Sequence, residues 1–239
     1  MTGYTRKELK HDKFAESAQG AAQWATGHRQ TVVLTVGLVL VLVIAATGFI
    51  TWHSRQTEQG NTELSAGMRI LEEPLTPAGA PATPGDDSPK YATITDRAKA
   101  AQKLFSSAAD KYSSVAPGKI ARYMSGVTLV QAGDKAGAEQ ELKKAVDSGD
   151  KNVSSLAKMA LASLYRETNR NADAVALYKD IAANPTDTVS KSAANLELAS
   201  MYETSDPGQA EVIYKQIQTD DPQSPAAQVA GQKLAGKGK

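Results

Sequence analysis

Histidine occurs only at His11, His28 and His53, all ahead of residue 93, where the folded repeats are expected to begin. The repeats therefore lack the side chain that titrates near neutrality and most often binds zinc, which removes histidine-based acid–base catalysis and zinc binding there. The chain has no cysteine, so it has no disulfide, thiolate metal site, thiol nucleophile or cysteine for N-terminal lipidation. No nucleophile elbow, P-loop or dinucleotide fingerprint occurs. Glu139 with Glu141, and Asp220 with Asp221, read as solvated carboxylates on helix faces and turns rather than a glycosidase-like pair. Asp86-Asp87 lies in a proline-rich stretch, where no preorganised calcium site is expected. The expectation is a non-enzyme with no catalytic residue, metal or cofactor. A formal net charge of +1 gives no electrostatic case for nucleic acid.

With chemistry set aside, the elements come forward. Gly126, Ala162 and Ala199 are followed three residues later by Leu129, Tyr165 and Tyr202. Ala138, Ala174 and Ala210 are followed four residues later by Leu142, Tyr178 and Tyr214. The offset between equivalent positions is 36 or 37 residues, the period of stacked helical hairpins. Small residues belong where two helices cross closely, and the large ones fill the space between neighbouring hairpins. The hairpins are read as Lys119 to Ser148, Val153 to Asn184 and Val189 to Asp220. Gly133-Asp134, Asn169 to Asn171 and Asp206 to Gly208 mark their internal turns. Pro225 to Leu234 forms a helix that caps the stack.

Upstream, Thr31 to Trp52 is an uncharged apolar run of 22 residues, about 33 Å long as a helix against a hydrocarbon core of about 30 Å. It lies too far from the initiator Met, and lacks the following small-x-small site, for a cleavable signal peptide. A retained anchor is expected. Residues 1–30 carry Arg6, Lys7, Lys10, Lys13 and Arg29, whereas Arg55, Arg69 and Lys90 follow the run amid six carboxylates. That bias favours a cytoplasmic N-terminus.

Between anchor and repeats, residues 53–73 continue as a juxtamembrane helix with Leu64, Met68 and Leu71 in one stripe. Residues 74–92 read as a proline-rich linker able to reach on the order of 50 Å, holding the next domain away from the bilayer. Asp96 is the expected N-cap of the first helix after it. Ala101, Phe105 and Ala108 echo the second helix of the later repeats, as a leading half-repeat. The repeat domain is assigned to 93–235, with a disordered tail at 236–239.

The stretch LASLYRETNRNADAVALYKDIAANP resembles a tetratricopeptide repeat through Leu161-Ala162, Tyr165, Ala174, Tyr178 and Pro185. LASMYETSDPGQAEVIYKQIQTDDP resembles it through Leu198-Ala199, Tyr202, Ala210, Tyr214 and Pro222. The implied fold is all-α: one N-terminal transmembrane helix followed by a tetratricopeptide-like helical-hairpin solenoid. The resemblance also implies a concave groove lined by the first helix of each repeat. Its protein-binding positions here are Ile120, Tyr123, Val127 and Val130, then Leu156, Met159, Ser163 and Arg166, then Ala193, Leu196, Ser200 and Glu203. Of these only Arg166 is cationic, so a basic peptide clamp is not reproduced.

In order of parts the chain is similar to the YfgM-like ancillary subunits of the bacterial SecYEG translocon. That similarity implies a single-pass inner-membrane protein whose periplasmic repeats meet other proteins: the translocon or periplasmic chaperones. The alternatives are an envelope-assembly or cell-division scaffold, and a bracing subunit of a larger membrane complex. No small-molecule substrate is expected.

Overall fold

The computed structural model describes residues 24–76 and 90–236. The basic residues ahead of Trp24, most of the proline-rich stretch and the last three residues lie outside that range, and with them the expectations placed there. The chain divides into two compact units, residues 1–54 and 55–239.

In the first unit, the apolar run forms the leading part of helix α1 (Arg29–Glu72). Its side chains lie bare: Leu34 is 72% exposed and Ile44 69%. The polar atoms within it are satisfied locally. Thr35, Thr47 and Thr51 donate their hydroxyls to the carbonyls of Thr31, Val43 and Thr47 at 2.9 Å, as hydroxyls do where water is absent. Among the described residues this one helix is long and apolar enough to cross a membrane.

In the second unit, residues 55–72 of α1 are followed by α2 (Ile94–Lys111), α3 (Ala116–Gln131), α4 (Lys135–Val146), α5 (Lys151–Glu167), α6 (Asn171–Ala183), α7 (Lys191–Ser205), α8 (Pro207–Asp220) and α9 (Pro225–Gly236). From α2 onward each helix packs on the next. The described residues contain no strand, only an isolated bridge between Leu75 and Tyr91.

Local chemistry sets the helix starts. Asp134 accepts from the Gly137 amide at 2.9 Å, Asp150 from those of Asn152 and Val153, Ser190 from Ala193, and Asp206 from Gln209, each relieving an orphan N–H. At α2 the cap is Thr93, not the expected Asp96. The Thr93 Oγ1 accepts from the Asp96 amide at 3.0 Å and donates to its carboxylate at 2.7 Å. The acidic residue thus sits in the first turn, where its carboxylate holds the capping hydroxyl and complements the helix dipole. Gly133 (φ 85°) and Asn169 (φ 59°) adopt the left-handed backbone that the turns after α3 and α5 require.

The core follows the small–large alternation. Ala162, Ala199, Leu142, Tyr178 and Tyr214 have no exposed surface, whereas Leu129 and Tyr202 are half-buried. A Cβ on Gly126 would stand 2.7 Å from Leu142 Cδ2, so only glycine allows that approach. Tyr178 and Tyr214 keep their hydroxyls paired: one lies 3.3 Å from Ser163 Oγ, and the other donates to Glu203 at 2.9 Å.

The helix expected only as a juxtamembrane extension is packed into this unit. A Cβ on Gly67 would lie 2.5 Å from the Phe105 ring, repeating the Gly126–Leu142 contact, and one on Gly60 would meet Pro117 and Tyr112. Leu64, Ile70 and Leu71 pack on the buried cluster of Ala101, Phe105 and Ala108. The half-repeat thus has its partner, and residues 55–72 with α2 make a complete leading hairpin. The described ends of the 74–92 stretch are held by the same unit. The Thr76 amide donates to the Tyr91 carbonyl at 2.9 Å, and Arg97 to the Glu73 carbonyl at 2.6 Å. The two described ends of the stretch therefore meet.

Candidate protein-interaction groove

The first helices of the hairpins carry the groove positions that the repeat pattern implies, and those positions differ along the array. On α3, Ile120 is 38% exposed, while Tyr123, Val127 and Val130 are half-buried. Tyr123 and Val130 also pack against the core beneath them, and burial pushes the Tyr123 phenol up. On α5, Leu156, Met159 and Ser163 are half-buried and Arg166 is exposed; on α7, Ala193, Leu196 and Glu203 are half-buried and Ser200 is exposed.

Three of the polar members, Ser163, Arg166 and Glu203, are committed to the protein itself. Arg166 pairs with Glu197 on α7 at 2.9 Å. Glu203 pairs with Lys233 on the capping helix at 3.1 Å and accepts from Tyr214. Burial, and then the Glu203 carboxylate, push the Tyr214 phenol above its usual range. Ser163 lies within hydrogen-bonding distance of Tyr178. These groups clasp α5 to α6 and α7, and α7 to α8 and α9, which leaves the apolar side chains to offer contact.

Further ion pairs hold the hairpins in register. Arg122 joins Glu141 on α4 at 2.9 Å to Asp110 on α2 at 2.8 Å. Glu139 on α4 takes Lys143 at 2.7 Å and Arg170, the N-cap residue of α6, at 3.0 Å, and accepts from Tyr165 at 3.1 Å. Hydrogen bonds from Lys143 and Arg170 hold its carboxyl down to about 2. The Arg170 guanidinium sits 3.9 Å over the Tyr165 ring. A separate cleft of about 320 Å³ opens beside Lys151, Ser154 and Lys158. Of its two lysines, Lys158 is paired with Asp180 at 2.6 Å.

A family model described as a tetratricopeptide repeat-like domain matches residues 23–185. The chain belongs to this tetratricopeptide repeat-like family. The matched range takes in the apolar helix, the leading hairpin and the first two tetratricopeptide repeats, and ends before α7. Neither curated proteins nor solved structures gave a match to this chain. Domains of this kind are typically interaction scaffolds rather than enzymes.

The repeat pattern in the sequence pointed to no groove residues on the leading hairpin. With Gly67 equivalent to Gly126 by contact, the positions equivalent to Tyr123, Val127 and Val130 are Leu64, Met68 and Leu71. The signal was present as an apolar stripe. Its hairpin partner was hidden because 38 residues separate Gly67 from Phe105, against 16 between Gly126 and Leu142.

Proposed function

We propose that this chain is a membrane-anchored interaction scaffold. Residues 31–52 cross a bilayer once with the N-terminus cytoplasmic, and the tetratricopeptide repeats bind a protein through the first-helix face. In the finer form of the reading it is an ancillary translocon or periplasmic-chaperone partner of the YfgM-like kind, in a bacterial inner membrane with its repeats in the periplasm. The observation that carries the proposal is that the family match begins at residue 23, so a bare apolar helix and the repeats belong to one matched unit. A helix with that much exposed apolar surface needs lipid or a partner around it. The excess of Lys and Arg before the run supports the orientation.

Two experiments test it. Protease added to intact spheroplasts should digest residues beyond about 55 and spare an N-terminal tag; protection of the repeats would overturn the orientation. Purification from gently solubilised membranes should recover translocon or periplasmic chaperone components. Val127→Glu should reduce that recovery without lowering the melting temperature, since a charge is tolerated on a solvent-facing groove but not in a packed core. Recovery of division or envelope-assembly proteins instead would favour that other scaffold role.

A further inference from the structure

We propose that the cleft between the start of α5 and the end of α6 binds a small organic carboxylate, held by Ser155 and Lys151. The site uses none of the groove positions and stands apart from the scaffold reading.

Ser155 carries the argument. It lines the cleft and is only 5% exposed, yet its Oγ has no hydrogen-bond partner among the described residues. Thr128 and Thr168, by contrast, donate their hydroxyls one turn back, to the Met124 and Leu164 carbonyls at 2.8 Å. Ser155 makes no such bond to the Lys151 carbonyl. A buried hydroxyl left unpaired is costly, so an acceptor that reaches it from the cleft is favoured.

The neighbouring hairpin shows what kind of acceptor fits. Ser192 stands 37 residues beyond Ser155, as Ala199 stands beyond Ala162. Across from these serines, Asn184 and Asp221 are the C-cap residues of α6 and α8, each followed by a proline. In the third repeat, Ser192 donates to the Asp221 carboxylate at 3.5 Å. In the second, the Asn184 amide nitrogen is turned instead to the carbonyl and carboxylate of Asp180, both at 3.1 Å. The chain thus supplies a carboxylate to one serine and none to the other, and the cleft opens at the second.

Charge selects the same ligand. Lys158 is paired with Asp180 at 2.6 Å, and Asp150 accepts the Asn152 and Val153 amides at 2.9 and 3.1 Å. Lys151 is exposed on the cleft and has no ion pair among the described residues. Its ammonium and the Ser155 hydroxyl are a charge-assisted donor set for a carboxylate. Ile181 and Pro185 make the remaining wall apolar, which suits a short hydrocarbon chain on that carboxylate.

The test uses the full chain in lipid nanodiscs, with empty nanodiscs as the blank. Butyrate, butyramide and inorganic phosphate are titrated and followed by ligand-observed nuclear magnetic resonance. Butyrate should bind and raise the melting temperature, whereas butyramide, of the same shape without the charge, should do neither. Ser155→Ala and Lys151→Gln should each weaken butyrate about tenfold. Ser155→Ala breaks no hydrogen bond, so the melting temperature without butyrate should not fall. Asn184→Asp places a carboxylate of the chain opposite Ser155 and should abolish the binding. Failure of butyrate to bind, or binding that survives both Ser155→Ala and Asn184→Asp, would overturn the site. Tighter binding of phosphate or butyramide than of butyrate would overturn the carboxylate as its ligand. Partner recovery should be unchanged in Ser155→Ala, so the site and the scaffold reading can fail separately.

Discussion

Residues 31–52 and residues 55–72 belong to a single helix, yet they are built for different surroundings. The first stretch is apolar on every side, and a Cβ added at Gly37 or Gly48 would meet nothing within 4 Å. The second is apolar on one stripe only, and its glycines stand where Phe105, Tyr112 and Pro117 press closest. Glycine in the first stretch costs helix propensity and gains no contact within the chain, whereas in the second it allows a helix crossing. A glycine in a helix is therefore informative only together with what faces it.

The sharpest way to break this comparison is to fill the glycines. Gly67→Leu forces a side chain into the Phe105 ring and should cost about 3 kcal/mol, more than the gain in helix propensity returns. Gly48→Leu should leave the melting temperature of the repeats unchanged. Thermal denaturation of the full chain, followed by circular dichroism, measures both. Equal shifts would mean that residues 55–72 are not part of the packed unit.

A smaller effect is expected within the repeats. Ala162 has no exposed surface at its helix crossing, while Ala182 is half-buried at the edge of α6. Ala162→Leu should cost about 1–3 kcal/mol and Ala182→Leu less than half as much. Equal melting shifts would undermine the repeat register on which the Gly67–Gly126 equivalence depends.

The smallest effects concern the ionic ties. Glu139 has its folded pKa lowered to about 2 by Lys143 and Arg170. Its contribution is complete above the unfolded carboxylate pKa, near 4.3, and is lost as pH falls from there toward 2. At 26% side-chain exposure, screening limits it to on the order of 1 kcal/mol. Glu63 follows the same sign: burial pushes its carboxyl up, but Lys111, Tyr112 and Ser107 outweigh that and hold it low. Glu139→Gln should flatten the acid limb of the stability–pH curve over that window, and Glu63→Gln should do so less. An unchanged acid limb in Glu139→Gln would show that the tie across α4 and α6 contributes nothing.

The repeats were legible because a small residue and a large one recur at a constant interval, and that interval is a direct image of the packing. The leading hairpin was not, because a proline-rich insertion separates its two helices and erases the interval. Leu64, Met68 and Leu71 were visible as a stripe, but a stripe does not say what it faces. The cap of α2 was misread for a related reason. Thr93 and Asp96 are both good caps, and only the backbone at Thr93 (φ −131°, ψ 156°) decides between them. The self-neutralised face was equally hidden. Arg166 and Glu197 stand 31 residues apart, and their meeting depends on how α5 lies beside α7. That the one cationic groove position is already paired is therefore not visible in the sequence.

The hydrogen bond between Thr76 and Tyr91 has a consequence for how this chain can vary. Because Thr76 and Tyr91 meet, the entry to α2 is tied to the end of α1 by that bond and not by the number of residues between the two positions. Closing a longer loop costs only about 0.6 kcal/mol for each doubling of its length. Substitution, insertion or deletion between these two residues is thus uncoupled from the register of every hairpin that follows, and selection on the repeats leaves that interval nearly free to drift.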